Sequence, residues 1–375
     1  MTKQLISLGL MSGTSGDGVD VSIIQSDGEA KYKPLFDRYF EYDDKIFRKI
    51  HDLKPKINNS KKLSLYSADI DKLENEITLF HSKIVNKVQK IFKNNIDIIG
   101  FHGQTMFHSP KEKISTQLGD GKLLSQITKK TVIYHFRQKD LEGGGEGAPL
   151  TPIFHKLLEK NFDLKPVSFL NIGGITNRTT ILNNNTMTAS DIGPGMCLID
   201  KWIRVNSKNT YDEGGAIAES GKVNKIILEQ ALEFFFYNQN KENSIKKKKN
   251  IKSFDVNDFD LSFVRGLSLE DGAATLTAYT AEIINSDLVS ILKLDSQNKL
   301  ILCGGGRKNK FLIKKININK ASLKLIDEYG IDGDFVESQA FAYLAIRSYQ
   351  KKPISFPETT GVRKECLGGE VVEFK

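Results

Sequence analysis

The sequence predicts an α/β protein of two domains, and three observations predict it. At 375 residues the chain is long for a single hydrophobic core. Segments with apolar residues at alternate positions are interleaved with segments whose apolar residues fall three and four apart, the periods of strands and helices. Two glycine-bearing hairpins share one design: an apolar strand, a turn of glycine and small hydroxyl residues, and a second strand. The first reads Leu8-Gly9-Leu10-Met11-Ser12-Gly13-Thr14-Ser15-Gly16-Asp17-Gly18-Val19-Asp20, and the second Phe169-Leu170-Asn171-Ile172-Gly173-Gly174-Ile175-Thr176-Asn177. A design used twice points to a duplicated fold.

The elements follow in order. Leu5 to Leu10 is a strand, and Val19, Val21 and Ile23 alternate with polar residues as its half-buried partner. Leu73 to Phe92 carries apolar residues at helical spacing, with Leu73, Ile77, Phe80, Ile84 and Val88 on one face. Ile98 to Phe101 is a short buried strand running into a loop, His102-Gly103-Gln104-Thr105, and Thr131 to Tyr134 is another strand. Thr151 is placed to cap a helix with Pro152 at its first position. Ala189 to Gly195 reads as a tight turn into a helix over Leu198 to Ile203. Ala273 to Leu292 is a long helix, Leu300 to Cys303 a strand ending in Gly304-Gly305-Gly306, and a helix begins near Asn309. Phe335 to Gln350 is the last long helix. The chain is expected to cross between domains near His135, giving domains 1–135 and 136–347, with 348–375 returning to the first.

Composition narrows the function classes. Hydrophobic residues make up 39% and charged residues 27%, the range of ordinary globular chains. No apolar run approaches the roughly 20 residues that span a bilayer, and Met1-Thr2-Lys3-Gln4 leads straight into a strand without a secretory segment. Cys197, Cys303 and Cys366 show neither disulfide nor metal-ligand spacing. The expectation is a cytoplasmic protein with no membrane association. The net charge of +8 raises the question of nucleic acid, but Lys246 to Lys249 lies in a polar stretch, Asn238 to Asn250, without interleaved arginine and aromatic residues. A solvated loop, and no nucleic-acid partner, is the reading.

Glycine and small hydroxyls let backbone N–H groups converge on an anion without Cβ crowding. Two such turns suggest a phosphotransferase gripping a polyphosphate. Read in order, the motifs resemble the anhydro-N-acetylmuramic acid kinase family. They are Gly9-Leu10-Met11-Ser12-Gly13-Thr14-Ser15 with Asp17-Gly18-Val19-Asp20, Gly100-Phe101-His102-Gly103-Gln104-Thr105, Gln117-Leu118-Gly119-Asp120, Phe136-Arg137 and Gly147-Ala148-Pro149-Leu150. The series continues with Asn171 to Asn177, Asp191 with Gly193-Pro194-Gly195, Tyr211-Asp212 with Gly214-Gly215-Ala216, Ala274-Thr275, Cys303 to Gly306, and Gln339-Ala340-Phe341-Ala342. The resemblance implies a two-domain actin-like (ribonuclease H-like) ATPase fold, with duplicated mixed-sheet domains around a central cleft. It implies a kinase that opens the 1,6-anhydro ring of 1,6-anhydro-N-acetylmuramic acid with water. The same event phosphorylates O6 from ATP, in peptidoglycan recycling, and a homodimer is implied too.

The same likeness assigns residues. Gly13, Thr14, Ser15, Gly16, Asp17, Gly18, Val19 and Asp20 form the first phosphate hairpin, and Gly173 and Gly174 the second. Gly304, Gly305 and Gly306 are placed to pack backbone against adenosine. Mg²⁺ accompanies ATP and is assigned to Asp17 or Asp20 through water, because Met11 sits where many superfamily kinases carry an aspartate. Asp191 is the general base that takes a proton from water; read without the family, it is an Asx-turn residue. His102, Gln104 and Arg137 are the candidate sugar-binding residues. His102 reads equally as a structural histidine, and Arg137 as a structural ion-pair partner or as a clamp for a carboxylate or phosphate.

The chain departs from the family pattern at several positions. His135 replaces an aspartate before Phe136-Arg137, Ile192 and Met196 replace hydrogen-bonding residues near Asp191, and Gly16 replaces an apolar residue. Lys252-Ser253-Phe254-Asp255-Val256 stands where the family has Lys-Ser-Thr-Gly-Arg. These departures keep two other readings open: a kinase of an ordinary sugar hydroxyl, and a nucleotide-binding pseudokinase.

Overall fold

The computed structural model describes residues 3–246, 254, 256–316 and 323–374. It divides into two compact units, Met1–Asp163 with Asp334–Lys375, and Leu164–Gly333. Lys247 to Lys249 of the basic run lie outside the described residues. The residues before them do not form the expected loop, because a helix spans Lys225–Lys246. No helix among the described residues is long and apolar enough to cross a membrane.

The first unit carries β1 (Leu5–Ser12), β2 (Gly18–Ser26), β3 (Tyr32–Glu41), β4 (Ile98–Ser109), β5 (Ile114–Leu118) and β6 (Thr131–Tyr134). The second carries β7 (Val167–Ile172), β8 (Ile175–Ile181), β9 (Met187–Pro194), β10 (Lys299–Cys303) and β11 (Leu323–Leu325). The chain returns to the first unit for β12 (Glu370–Val372). The first sheet runs β3-β2-β1-β4-β6-β12, with β5 paired to β4. β1, β2 and β3 form an antiparallel meander, and β4 and β6 continue parallel from β1. The second sheet runs β9-β8-β7-β10-β11. There too the first three strands form an antiparallel meander, and the last two run parallel from the first. Each unit repeats one order and one set of directions, the duplicated mixed sheet of the actin-like fold class.

The crossing expected at His135 falls instead at Asp163, and the return at Gly333. The cause is packing of 136–163 onto the C-terminal segment. β6 pairs with β12, and the buried Asp140 carboxylate accepts from Ser355 Oγ at 2.5 Å and Thr360 Oγ1 at 2.6 Å. Phe154 stacks against Tyr32 and Tyr343 at 5.4 and 5.9 Å. Its helix, Pro152–Phe162, has Pro152 at the first turn as expected, but Thr151 makes no side-chain cap.

Two helices cover the first sheet. Ser67–Ile91 begins nearly two turns earlier than its periodicity predicts and packs Leu73, Ile77, Ile84 and Val88 in one cluster with Leu8, Leu10, Val21 and Phe101. Val336–Tyr349 packs on β1, β2 and β4 and buries most of its residues. Gly9 and Gly100, register partners on β1 and β4, make that approach possible. A Cβ on Gly9 would lie 2.0 Å from Ser338 O, and one on Gly100 2.4 Å from Phe341 O. Both neighbours are helix backbone and cannot rotate away. Gly9→Ala is therefore expected to destabilise the fold by about 3 kcal/mol, the upper end for overpacking, read as a lower urea midpoint at unchanged slope.

Three buried histidines in this unit, His81, His102 and His155, carry a pH dependence. His81 donates Nδ1–H to Ile77 O at 2.8 Å, and burial pushes its pKa from 6.5 down to about 4. Burial alone lowers His155 to about 3. Between pH 6.5 and those values the unfolded chain binds a proton at each position and the folded chain does not. Stability is thus full above the ordinary histidine range and falls as pH drops through it, by about 2 kcal/mol each for His81 and His155 at pH 5. Urea midpoints at pH 7.5 and pH 5 measure the fall, and His81→Leu should reduce it by that one residue's share. Equal midpoints for the wild type would refute the assignment.

The second unit closes on one core formed by Trp202, Ile199, Leu276, Ile284 and Leu288 with Leu170, Leu300 and Leu302 of the sheet. The long helix predicted there spans Leu269–Leu294, with Ser268 accepting from Asp271 N at its N-terminus. Gly272 lies against the Trp202 indole, whose Nε1–H donates to Leu269 O at 2.9 Å.

Candidate active site

The candidate residues divide between the units. In the first, the β1–β2 turn is closed by Gly16 N–H donating to Gly13 O at 3.2 Å, with Gly16 at φ 63°. A side chain at Gly16 would be strained, and its Cβ would lie 2.9 Å from Ile50 Cγ2. Both constraints favour glycine at this position. Thr14, Ser15 and Asp17 are exposed at the tip. Ser15 Oγ donates to Asp17 Oδ1 at 2.7 Å, and Lys54 Nζ donates to Thr14 O at 3.0 Å, bringing a positive charge to the turn. Gly18 and Val19 belong to β2, and Val19 is fully buried, so its side chain serves the core rather than a ligand. Asp20 is half-buried on β2, opposite Met11 and Tyr39.

His102 and Gln104 do not stand on a loop. β4 runs on through both to Ser109, with Gly103 at φ 74° inside it. Gln104 is fully buried: its Nε2 donates to Gly13 O at 2.9 Å, and its Oε1 accepts from Ser12 Oγ at 2.6 Å. It holds the hairpin. His102 Nδ1 lies 2.8 Å from Gly103 O, which can only accept, so that nitrogen carries the proton. Nε2 then accepts from Arg137 Nε and Nη2 at 3.1 and 3.0 Å. Burial first, and the Arg137 charge second, hold the His102 pKa well below 6.5, which keeps Nε2 an acceptor. Arg137 also donates through Nη1 to Gly147 O at 2.9 Å, and its guanidinium lies 5.9 Å from the Phe341 ring centroid. His102 and Gly147 O thus fix the orientation of the Arg137 guanidinium.

In the second unit the Gly173–Gly174 turn joins β7 to β8, and its carbonyls face the segment before helix Cys197–Asn206. Gly173 O accepts from Met196 N at 2.8 Å, and Gly174 O accepts from Gly195 N at 2.9 Å and Cys197 N at 3.2 Å. Gly195 has no room for a Cβ, which would lie 2.2 Å from Gly173 O. Thr280 Oγ1 pins the same segment by donating to Gly195 O at 3.1 Å.

Asp191 is a strand residue rather than part of a turn. It lies in β9 opposite Asn177, next to a register shift that leaves Ile192 without a partner between Asn177↔Asp191 and Thr176↔Gly193. Such a bulge re-aims neighbouring side chains. The half-buried Asp191 carboxylate accepts Phe254 N–H at Oδ2, 2.8 Å away. Phe254 is anchored by ring contacts with Phe259 at 5.4 Å and Phe235 at 6.3 Å. Lys252, Ser253 and Asp255 of that stretch lie outside the described residues. Gly304 to Gly306 follow β10 as expected. Gly304 adopts φ 81°, and a Cβ there would lie 2.4 Å from Asn171 Oδ1. Gly306 packs on Ile172, while Gly305 faces open space. Asn309 caps the following helix, Lys310–Lys315, by accepting from Leu312 N at 2.9 Å.

No group of three or more His, Cys, Asp or Glu side chains among the described residues could by itself hold a metal ion. Asp17 and Asp20 lie close enough to Tyr39 that both charges, after burial, raise its pKa. Two neighbouring carboxylates without a full cage suit Mg²⁺, which keeps several waters and takes its other ligands from substrate phosphates.

The sequence-level reading missed Tyr42 and Lys54, which touch the candidate residues from segments that carry no motif of their own. It named the stretch that holds Phe254 but not the contact of Phe254 with Asp191.

The family model described as anhydro-N-acetylmuramic acid kinase matches residues 5–373. The chain is 50% identical over 381 residues to the anhydro-N-acetylmuramic acid kinase of Pelagibacter ubique, covering 100% of both chains. It is 38% identical to the protein of that name from Zymomonas mobilis, over 98% of this chain and 99% of that one. With the protein of that name from Brucella canis it shares 36% identity, over 97% of each. Matches of this identity and extent, on a chain whose two sheets repeat one topology, place it in a family: the protein belongs to the anhydro-N-acetylmuramic acid kinases.

Proposed function

We propose that the protein converts 1,6-anhydro-N-acetylmuramic acid, ATP and water to N-acetylmuramic acid 6-phosphate and ADP in cytoplasmic peptidoglycan recycling, working as a homodimer. The observation that carries this reading is the Asp191 carboxylate, held at one oxygen by the Phe254 amide and aimed by the Ile192 bulge. In the proposed reaction Asp191 takes a proton from water, and the water oxygen bonds to the anomeric carbon. The C1–O6 bond breaks, and its electron pair stays on O6. O6 then bonds to the γ-phosphorus as the bond to the β-phosphate oxygen breaks and ADP leaves. The proton on Asp191 is released to solvent.

Gly13 to Asp20, with Gly173 and Gly174, bind the phosphates of ATP, and the backbone of Gly304 to Gly306 takes the adenosine. Positioned donors around the phosphates supply most of what phosphoryl transfer asks of a protein. Asp17 or Asp20 would hold Mg²⁺ through water, and the ion would supply positive charge to offset the β- and γ-phosphates. Arg137 binds the lactyl carboxylate of the sugar.

Mass spectrometry of products formed in ¹⁸O-labelled water tests the reading, with spontaneous anomeric exchange measured in parallel. One label at the anomeric hydroxyl of a 6-phosphorylated product is expected. A phosphorylated product without it would point to a kinase of an ordinary sugar hydroxyl, and ATP binding without product to a pseudokinase.

A further inference from the structure

A chain of buried hydrogen bonds reaches the first hairpin from Tyr42, outside every motif discussed so far. Tyr42 is 5% exposed, Ser12 1% and Gln104 0%. Tyr42 O–H donates to Ser12 Oγ at 3.0 Å. Ser12 Oγ lies 2.6 Å from Gln104 Oε1 and 2.9 Å from Gly18 O, both acceptors. Gln104 Nε2 donates to Gly13 O. A carbonyl only accepts, so the last link fixes which way the Gln104 amide points. Its oxygen must then take the Ser12 proton, and the Ser12 lone pair is left for Tyr42. The chain has one direction and ends on the carbonyl that also closes the turn with Gly16 N–H.

Tyr42 grips the hairpin a second time. Its backbone N–H donates to Asp17 O at 2.9 Å. Its ring is set against Phe80, centroids 5.0 Å apart.

We propose that Tyr42 is a positioning residue for the phosphate hairpin, acting through Ser12 and Gln104 to hold the Gly13–Gly16 turn in its ATP-binding form. The inference rests on the reading of Gly13 to Asp20 as the site of the β- and γ-phosphates. Removing the Tyr42 hydroxyl leaves the buried Ser12 Oγ one donor short and frees the Ser12 proton to turn to Gly18 O. The Gln104 amide then loses the bond that orients it, and the turn loosens. AMP, which lacks the β- and γ-phosphates, should not sense the change.

Calorimetric titration of the full-length protein with Mg-ATP and with AMP tests this, using Tyr42→Phe, Gln104→Leu and the double variant. The wild type should bind Mg-ATP more tightly than AMP. Tyr42→Phe keeps the ring and should unfold at nearly the wild-type temperature. It should weaken Mg-ATP about five- to ten-fold, the scale of one buried hydrogen bond, with AMP unchanged within two-fold. Gln104→Leu should weaken Mg-ATP at least as much. The double variant should match Gln104→Leu alone, because the two act as one chain. Unchanged Mg-ATP affinity in Tyr42→Phe, parallel weakening of both nucleotides, or additive single effects would each overturn the proposal. A wild type with no preference for Mg-ATP over AMP would overturn the phosphate-hairpin reading beneath it.

Discussion

Asp191→Asn is expected to lower kcat by about 10³- to 10⁴-fold, the contribution of a positioned general base, while Mg-ATP affinity stays within two-fold. The substitution isolates the chemistry. The asparagine Oδ1 can still accept the Phe254 N–H, so the strand, its bulge and the anchored Phe254 ring keep their arrangement. What is lost is a group able to take a proton from water. Ile192 and Met196 bring no polar side chain as a substitute, and Ser190 Oγ donates to the Asp191 carbonyl at 3.0 Å. Steady-state release of ADP with saturating sugar measures kcat, and thermal unfolding shows whether the variant is folded. A folded variant within ten-fold of the wild-type rate would remove Asp191 from the proposed mechanism.

Both hairpins were legible because their constraint is local: glycine and hydroxyl residues in a turn between apolar strands report themselves. The partners of those turns were not. Tyr42 and Lys54 reach the first turn from tens of residues downstream, through a strand and helix whose own pattern says nothing of a ligand. The sequence places Gln104 and His102 on a loop after a strand over Ile98 to Phe101, with Gly103 as the breaker. Gly103 instead takes a positive φ within a strand that continues to Ser109. The register shift between Leu10↔Phe101 and Ser12↔Gln104, at the positive φ of Gly103, breaks the alternation of faces. His102 therefore packs on Phe341 and meets Arg137, while Gln104 turns to the hairpin.

Recognised motifs also did not disclose roles. Asp212 is 3% exposed and spends both carboxylate oxygens on the amides of Ile217 and Ala218. Gln339 places its amide nitrogen on both oxygens of Asp37, at 3.1 and 3.0 Å. Both residues stabilise local structure. Only atomic distances separate such residues from ones that can meet a substrate.

Arg137→Met is expected to raise the KM for the anhydro sugar about 10- to 100-fold, the worth of hydrogen bonds to a charged group, with the KM for ATP unchanged. Methionine keeps much of the apolar stem against Phe341 and removes only the charged fork. Arg137→Lys should recover little, because an ammonium cannot span His102 Nε2 and Gly147 O in the guanidinium plane. His102→Leu should give a smaller rise in the same KM, since Arg137 would keep its charge and lose its support. A rise confined to the KM for ATP would reassign Arg137 to phosphate, and no rise in either would make it a structural residue. The His102 contact decides how these outcomes are read: two guanidinium N–H groups converge on one ring nitrogen, so His102→Leu removes the support of the fork and leaves the guanidinium itself in place.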